Sequence, residues 1–131
     1  LQGWGNNERQ WYTDLPSNLR VEGGNLVLQA MLDPTARAIR DQPYTSARVR
    51  TFGKYAVRPS SAAPVIKVEA RIKVPFGLGL WSAFWMLPED DASQACSGCG
   101  RHGVWAASGE MDIMETANEA RMVSGRLVQG A

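Results

Sequence analysis

The segment Gly109-Glu110-Met111-Asp112-Ile113-Met114-Glu115-Thr116 holds three carboxylates within six residues, embedded among apolar Met and Ile. One reading is a half-exposed edge strand whose charges simply face water. The other is chemical. Carboxyl groups held close together repel, so one stays protonated and can act as an acid while its neighbour stays ionised and can attack. In a regular strand Glu110, Asp112 and Met114 share a face and Glu115 points the other way. A single site made of all three carboxylates therefore needs an extra residue absorbed between Asp112 and Glu115. A β-bulge at Ile113-Met114 would absorb it, and bulges are frequent beside active sites. The two glutamates would then lie about four strand positions apart, roughly 13 Å between Cα atoms. Long Glu side chains leaning inward over a concave sheet close most of that gap, toward the ~5–5.5 Å that double displacement at a glycosidic bond requires. Asp112, being shorter, reaches only its neighbours.

The elements that must position this segment read as strands. Ile66 to Val74 alternates apolar residues with Lys67, Glu69, Arg71 and Lys73, which predicts a strand with one face on a core. Leu19 to Glu22 and Leu26 to Ala30 flank Gly23-Gly24-Asn25, a tight-hairpin signal. Tyr44 to Phe52, Leu80 to Leu87, Glu110 to Thr116 and Val123 to Val128 complete the expected set. No stretch keeps a helical period for three turns, and Pro34 is expected to interrupt a short helix over 30–40. Many short strands with Gly and Pro punctuation predict an all-β sandwich or barrel. Two connections, 58–64 and 88–108, are long, and the second is long enough to be functional in its own right.

Composition excludes several classes of partner. The formal net charge is +1, and the eleven Arg and three Lys are dispersed along the chain. Neither nucleic acid nor an anionic membrane is expected to bind such a surface. No apolar run reaches the roughly 18 residues of a membrane span. The five tryptophans suit sugar, whose flat C–H faces stack on indole rings. Trp81 and Trp85 fall on one side of their strand, and the pattern leaves open which of them is core. Trp105 lies five residues before Glu110, close enough in sequence to stack a sugar at the same site.

The run E-x-D-x-x-E, with Gly before it and Thr after it, resembles the signature of glycoside hydrolase family 16 in its laminarinase-like branch. The resemblance extends, in order, through Trp4 to Tyr12 (WGNNERQWY), Leu19 to Ala30 (LRVEGGNLVLQA), Tyr44 to Arg48 (YTSAR) and Gly79 to Pro88 (GLWSAFWMLP). It implies a jelly-roll β-sandwich of antiparallel strands with a concave cleft, and a β-1,3- or mixed-linkage glucan as substrate. Glu110 would be the nucleophile, Glu115 the acid/base, and Asp112 the hydrogen-bond partner of the nucleophile. Asn6 and Arg48 match positions that contact the sugar nearest the scissile bond. A jelly roll of this kind needs roughly twice this length. Residues 1–131 are therefore expected to be the N-terminal part of one catalytic domain, completed by a partner half in the same or another chain. Val128 stands where the family usually has a His. A glucan-binding or structural protein on the same fold is the rival reading. An extracellular location follows from where polysaccharides are found.

Cys96, Cys99 and His102 form C-x-x-C-x-x-H inside the long loop. A small disulfide pinning the loop is the first reading, free thiols the second, and zinc the last, for want of a fourth ligand. No cofactor is expected. A structural calcium, carried by many members of the family, is the one metal that the resemblance implies.

Overall fold

In the computed structural model of the chain, the described residues are 7–35, 42–89 and 105–118, together with the backbone of 124–128. Eight strands form: β1 (Gln10–Tyr12), β2 (Leu19–Glu22), β3 (Asn25–Leu28), β4 (Met31–Leu32), β5 (Tyr44–Ser46), β6 (Trp81–Met86), β7 (Glu110–Ala117) and β8 (Ser124–Val128). The chain is all-β, as expected, and its sheets are consistent with part of a jelly-roll sandwich. They fall into two compact units, residues 1–51 and 52–131.

The first unit contains a hairpin and a three-stranded sheet. Strands β2 and β3 pair antiparallel through the turn Gly23-Gly24. Both glycines have positive φ, +55° and +76°, the backbone that a tight two-residue hairpin turn demands and that other residues resist. The sheet has the order β1-β5-β4. Its β1–β5 pair is parallel, unlike the other pairings among the described residues. A parallel pair needs a long crossover. Here the hairpin and β4 lie within that connection.

A buried asparagine ties these pieces together. Asn18, only 1% exposed, donates from Nδ2 to the Gln29 carbonyl at 2.9 Å and to Thr45 Oγ1 at 3.1 Å. Its Oδ1 accepts from Thr13 Oγ1 at 2.6 Å. One side chain thus joins the loop before β2, the end of β3 and the middle of β5. Asn18→Ala leaves the Gln29 carbonyl and the Thr13 and Thr45 hydroxyls each one partner short. Each unmade buried bond costs on the order of 1 kcal/mol or more. The substitution is expected to destabilise the protein by about 2–3 kcal/mol, read as a lower midpoint in urea unfolding with the slope unchanged.

Two expectations are corrected. Residues 66–74 join no ladder among the described residues. Ile66, Val68 and Val74 are half-buried, while Ile72 is exposed and Lys67 pairs with Glu69. Alternation reports which face seeks burial, whereas a ladder also needs a partner strand, which is a tertiary matter. Pro34 does not interrupt a helix either. It opens a helical turn with Thr35, capped by Asp33, whose Oδ1 accepts from the Thr35 amide at 3.0 Å. Proline is tolerated there because the first-turn amide has no intrahelical partner to lose. Strands β1 and β4 are additions. In β1 the alternating Gln10 and Tyr12 lack the apolar signature of a half-buried strand.

The second unit holds the sheet β6-β7-β8, with β7 in the centre and both of its pairings antiparallel. Gly79 and Asn118 fasten its open end. The Gly79 amide donates to Asn118 Oδ1 at 2.9 Å, and the Asn118 amide donates to the Leu80 carbonyl at 2.7 Å. Among the described residues no helix is long and apolar enough to cross a membrane.

Candidate active site

The bulge expected at Ile113-Met114 is present. Against β6 the register shifts so that Phe84 faces Met114 and Trp85 faces Asp112, leaving Ile113 without a partner. Against β8, Asp112 faces Arg126 and Glu115 faces Ser124, so Ile113 and Met114 together oppose Gly125. Residues directly opposite in an antiparallel ladder project to the same side. Trp85 therefore shares a face with Asp112, and Ala83 with Glu115. Glu110, two positions before Asp112, joins them. One inserted residue thus puts all three carboxylates on one face. The opposite face carries Met114 and Thr116, both buried, against Phe84 and Ser82.

Each glutamate is gripped by an indole. Trp105 Nε1 donates to Glu110 Oε2 at 2.6 Å, and Trp81 Nε1 donates to Glu115 Oε1 at 2.9 Å. Both rings are otherwise open to solvent, at 53% and 52% exposure. Trp105 begins a turn over 105–108 that closes when the Gly109 amide donates to the Ala106 carbonyl at 3.0 Å. Gly109 has φ of +83°, a conformation few side chains tolerate, and it aims the turn back over Glu110. Trp85 is half-buried beside Asp112, so the more open of the strand's two indoles is Trp81.

Asp112 is only 6% exposed, and its Oδ2 has no hydrogen-bond partner among the described residues. It stands beside Glu110 on the same face, two residues along β7. Glu110 itself is pushed above the usual carboxylate range. Burial is the main cause, and the charge and hydrogen bond of Asp112 and the charge of Glu115 add to it, while the Trp105 indole opposes it. The upward shift falls on the residue to which the family resemblance gives the nucleophile's role, not on Glu115, to which it gives the acid's.

The shift carries a stability consequence. A carboxyl whose folded pKa is raised stabilises the fold below its unfolded pKa, and that contribution is lost as pH rises through the folded value. Glu110→Gln stays neutral throughout. Its melting temperature is expected to exceed the wild type's at neutral pH, with the gap closing on acidification below the unfolded carboxyl's pKa. A scanning-calorimetry series across pH measures this.

Of the other residues singled out in the sequence, Arg48 belongs to the first unit, and Asn6, Cys96, Cys99 and His102 lie outside the described residues. Val128 is the ladder partner of Glu110. Arg48 is half-buried and hydrogen-bonded to Tyr12, with Glu8 also nearby and Arg50 repelling it. Burial lowers its pKa, and the same burial, with Glu8, raises that of Tyr12. Gln10 Nε2 donates to Tyr12 Oη at 2.8 Å and also to Glu8, and Tyr12 Oη donates to Glu8 Oε2 at 3.1 Å. The alternation Glu8, Gln10, Tyr12 is the signal in the sequence for this network. Among the described residues no group of three or more His, Cys, Asp or Glu side chains is placed to hold a metal ion.

Fold and geometry together define an all-β protein with three carboxylates and two indole donors on one sheet face. Proteins bearing glucanase names are similar to it. The chain is 36% identical over 118 residues to the glucan endo-1,3-beta-glucosidase A1 of Niallia circulans, covering 86% of this chain and 15% of that protein. It is 36% identical over 132 residues to the glucan endo-1,3-beta-glucosidase of Cryptopygus antarcticus, covering 98% of this chain and 43% of that protein. It is also 40% identical over 74 residues to a beta-1,3-glucan-binding protein of Penaeus monodon, covering 56% of this chain and 16% of that protein. The chain therefore spans less than half the length of these relatives. No family model matches it.

Proposed function

We propose that the chain carries the catalytic carboxylates of a retaining endo-glycosidase of the family 16 kind, acting on β-1,3- or mixed-linkage glucan outside the cell. The observation that carries the proposal is the bulge at Ile113-Met114, which gathers Glu110, Asp112 and Glu115 on one face. An ordinary solvated strand edge has no need of that irregularity. It sits in the centre of a sheet, where it interrupts two ladders. The similarity to glucanases supports the substrate class.

The chemistry follows from the division of labour between two carboxyls. Glu110, ionised, attacks the anomeric carbon and forms a glycosyl ester as Glu115 protonates the departing oxygen. Water, deprotonated by Glu115, then hydrolyses the ester and returns both groups to their starting states. Asp112, beside Glu110 on the same face, takes the role of the nucleophile's hydrogen-bond partner that the resemblance gives it. Trp81, Trp85 and Trp105 present ring surface to the sugar, while Asn6 and Arg48 are carried only by the resemblance, as matches to positions that contact the sugar nearest the scissile bond in that family.

The second reading is a β-glucan-binding protein, favoured by Val128 standing across from Glu110 and by the similarity to a glucan-binding protein. Incubation of the intact protein with laminarin and lichenan, followed by reducing-end assay against Glu110→Gln, separates the two. Release that disappears in the variant supports the hydrolase. Binding of laminarin without release supports the binding protein.

A further inference from the structure

The two indoles do more than offer flat surface. We propose that Trp81 and Trp105 are positioning residues, whose N–H groups fix which oxygen of each glutamate does chemistry. This rests on the reading of the site as a retaining glycosidase. An indole N–H can only donate. The oxygens it touches, Oε1 of Glu115 and Oε2 of Glu110, are therefore acceptors in the resting geometry. When Glu115 is protonated, its proton is directed to Oε2, the oxygen left to meet the departing glycosidic oxygen. When Glu110 is ionised, the Trp105 donor holds its charge in place.

The surroundings make these donors the specific ones. On the carboxylate face β6 contributes Trp81, Ala83 and Trp85, none of them charged. Along β7 the groups facing Glu110 are Asp112 and Glu115, both of which disfavour its ionised form. From β8 the ladder partners of Glu110 and Asp112 are Val128 and Arg126. The Trp105 indole thus opposes the repulsion of the other two carboxylates, and its removal raises the Glu110 pKa.

Phenylalanine at each position keeps an aromatic surface for the sugar and removes the donor. Both rings are half open to solvent, so the exchange leaves the core alone. The measurement is kcat/KM across pH for two substrates, laminarin and dinitrophenyl β-laminaribioside, whose leaving group departs without protonation. Trp81→Phe is expected to lower kcat/KM on laminarin about tenfold, the worth of one charge-assisted hydrogen bond, and to leave the activated substrate nearly unchanged. Trp105→Phe is expected to lower both substrates at acid pH and to move the acidic limb of the profile upward. Equal losses on both substrates in Trp81→Phe, or an unmoved acidic limb in Trp105→Phe, overturn the proposal. If the wild-type protein turns over neither substrate, the glycosidase reading fails. The donor role is then read by carbon NMR titration of the Glu110 carboxyl. An upward move in Trp105→Phe sustains it and an unchanged titration overturns it.

Discussion

Glu110→Gln is expected to lower glucan hydrolysis by about 10⁴-fold or more, the scale of losing a covalent nucleophile. An amide keeps the size and planarity of the carboxylate but cannot form the glycosyl ester. Its oxygen can still accept from Trp105 Nε1, so the turn over the site stays in place. The exposed indoles are untouched, and laminarin affinity is expected to stay within about twofold, because interactions made equally in the ground state survive. Rate by reducing-end assay and affinity by retardation in laminarin gels measure the two sides. A variant that loses binding in parallel with rate would mean that Glu110 holds sugar rather than attacks it. Since burial, with Asp112 and Glu115 adding to it, pushes the Glu110 pKa up, the wild-type rate is also expected to fall on acidification, as the nucleophile takes up its proton.

Glu115→Gln carries the second large effect, about 10²–10⁴-fold on laminarin, the usual contribution of a positioned general acid. The loss depends on the leaving group. A dinitrophenyl glycoside needs no protonation, so its kcat/KM, which reports formation of the glycosyl ester, is expected to remain near wild type. Glu110→Gln shows no such relief, because attack is needed whatever departs. This contrast also decides between the two glutamates as acid. The Glu110 pKa is raised, chiefly by burial. If Glu110 were the acid in turnover, the activated substrate would rescue Glu110→Gln and not Glu115→Gln. The assignment taken from family resemblance demands the reverse.

Much of the site was legible in the chain because it is local. Glu110, Asp112 and Glu115 fall within six residues, and the mismatch between a period of two and their spacing of two and three already demands a bulge at Ile113-Met114. The structure supplies it there, against both neighbouring strands. The Gly23-Gly24 turn was equally readable, since two consecutive glycines between apolar runs satisfy a local backbone requirement.

Pairing decided the rest. Residues 66–74 alternate more cleanly than any other segment, yet they form no ladder among the described residues, because alternation specifies a face and not a partner. The parallel β1–β5 pair joins segments some thirty residues apart with no signal in either that they meet. The fates of the tryptophans followed the same rule. That Trp81 and Trp85 share a side comes from their spacing. That Trp81 hydrogen-bonds Glu115 while Trp85 is half-buried beside Asp112 comes from the register of β6 on β7, shifted by the bulge. Residue type and spacing determine which chemistry the chain could perform. Which atoms meet was left to strand register, because register is set by side chains packing across a whole sheet and by nothing within one strand.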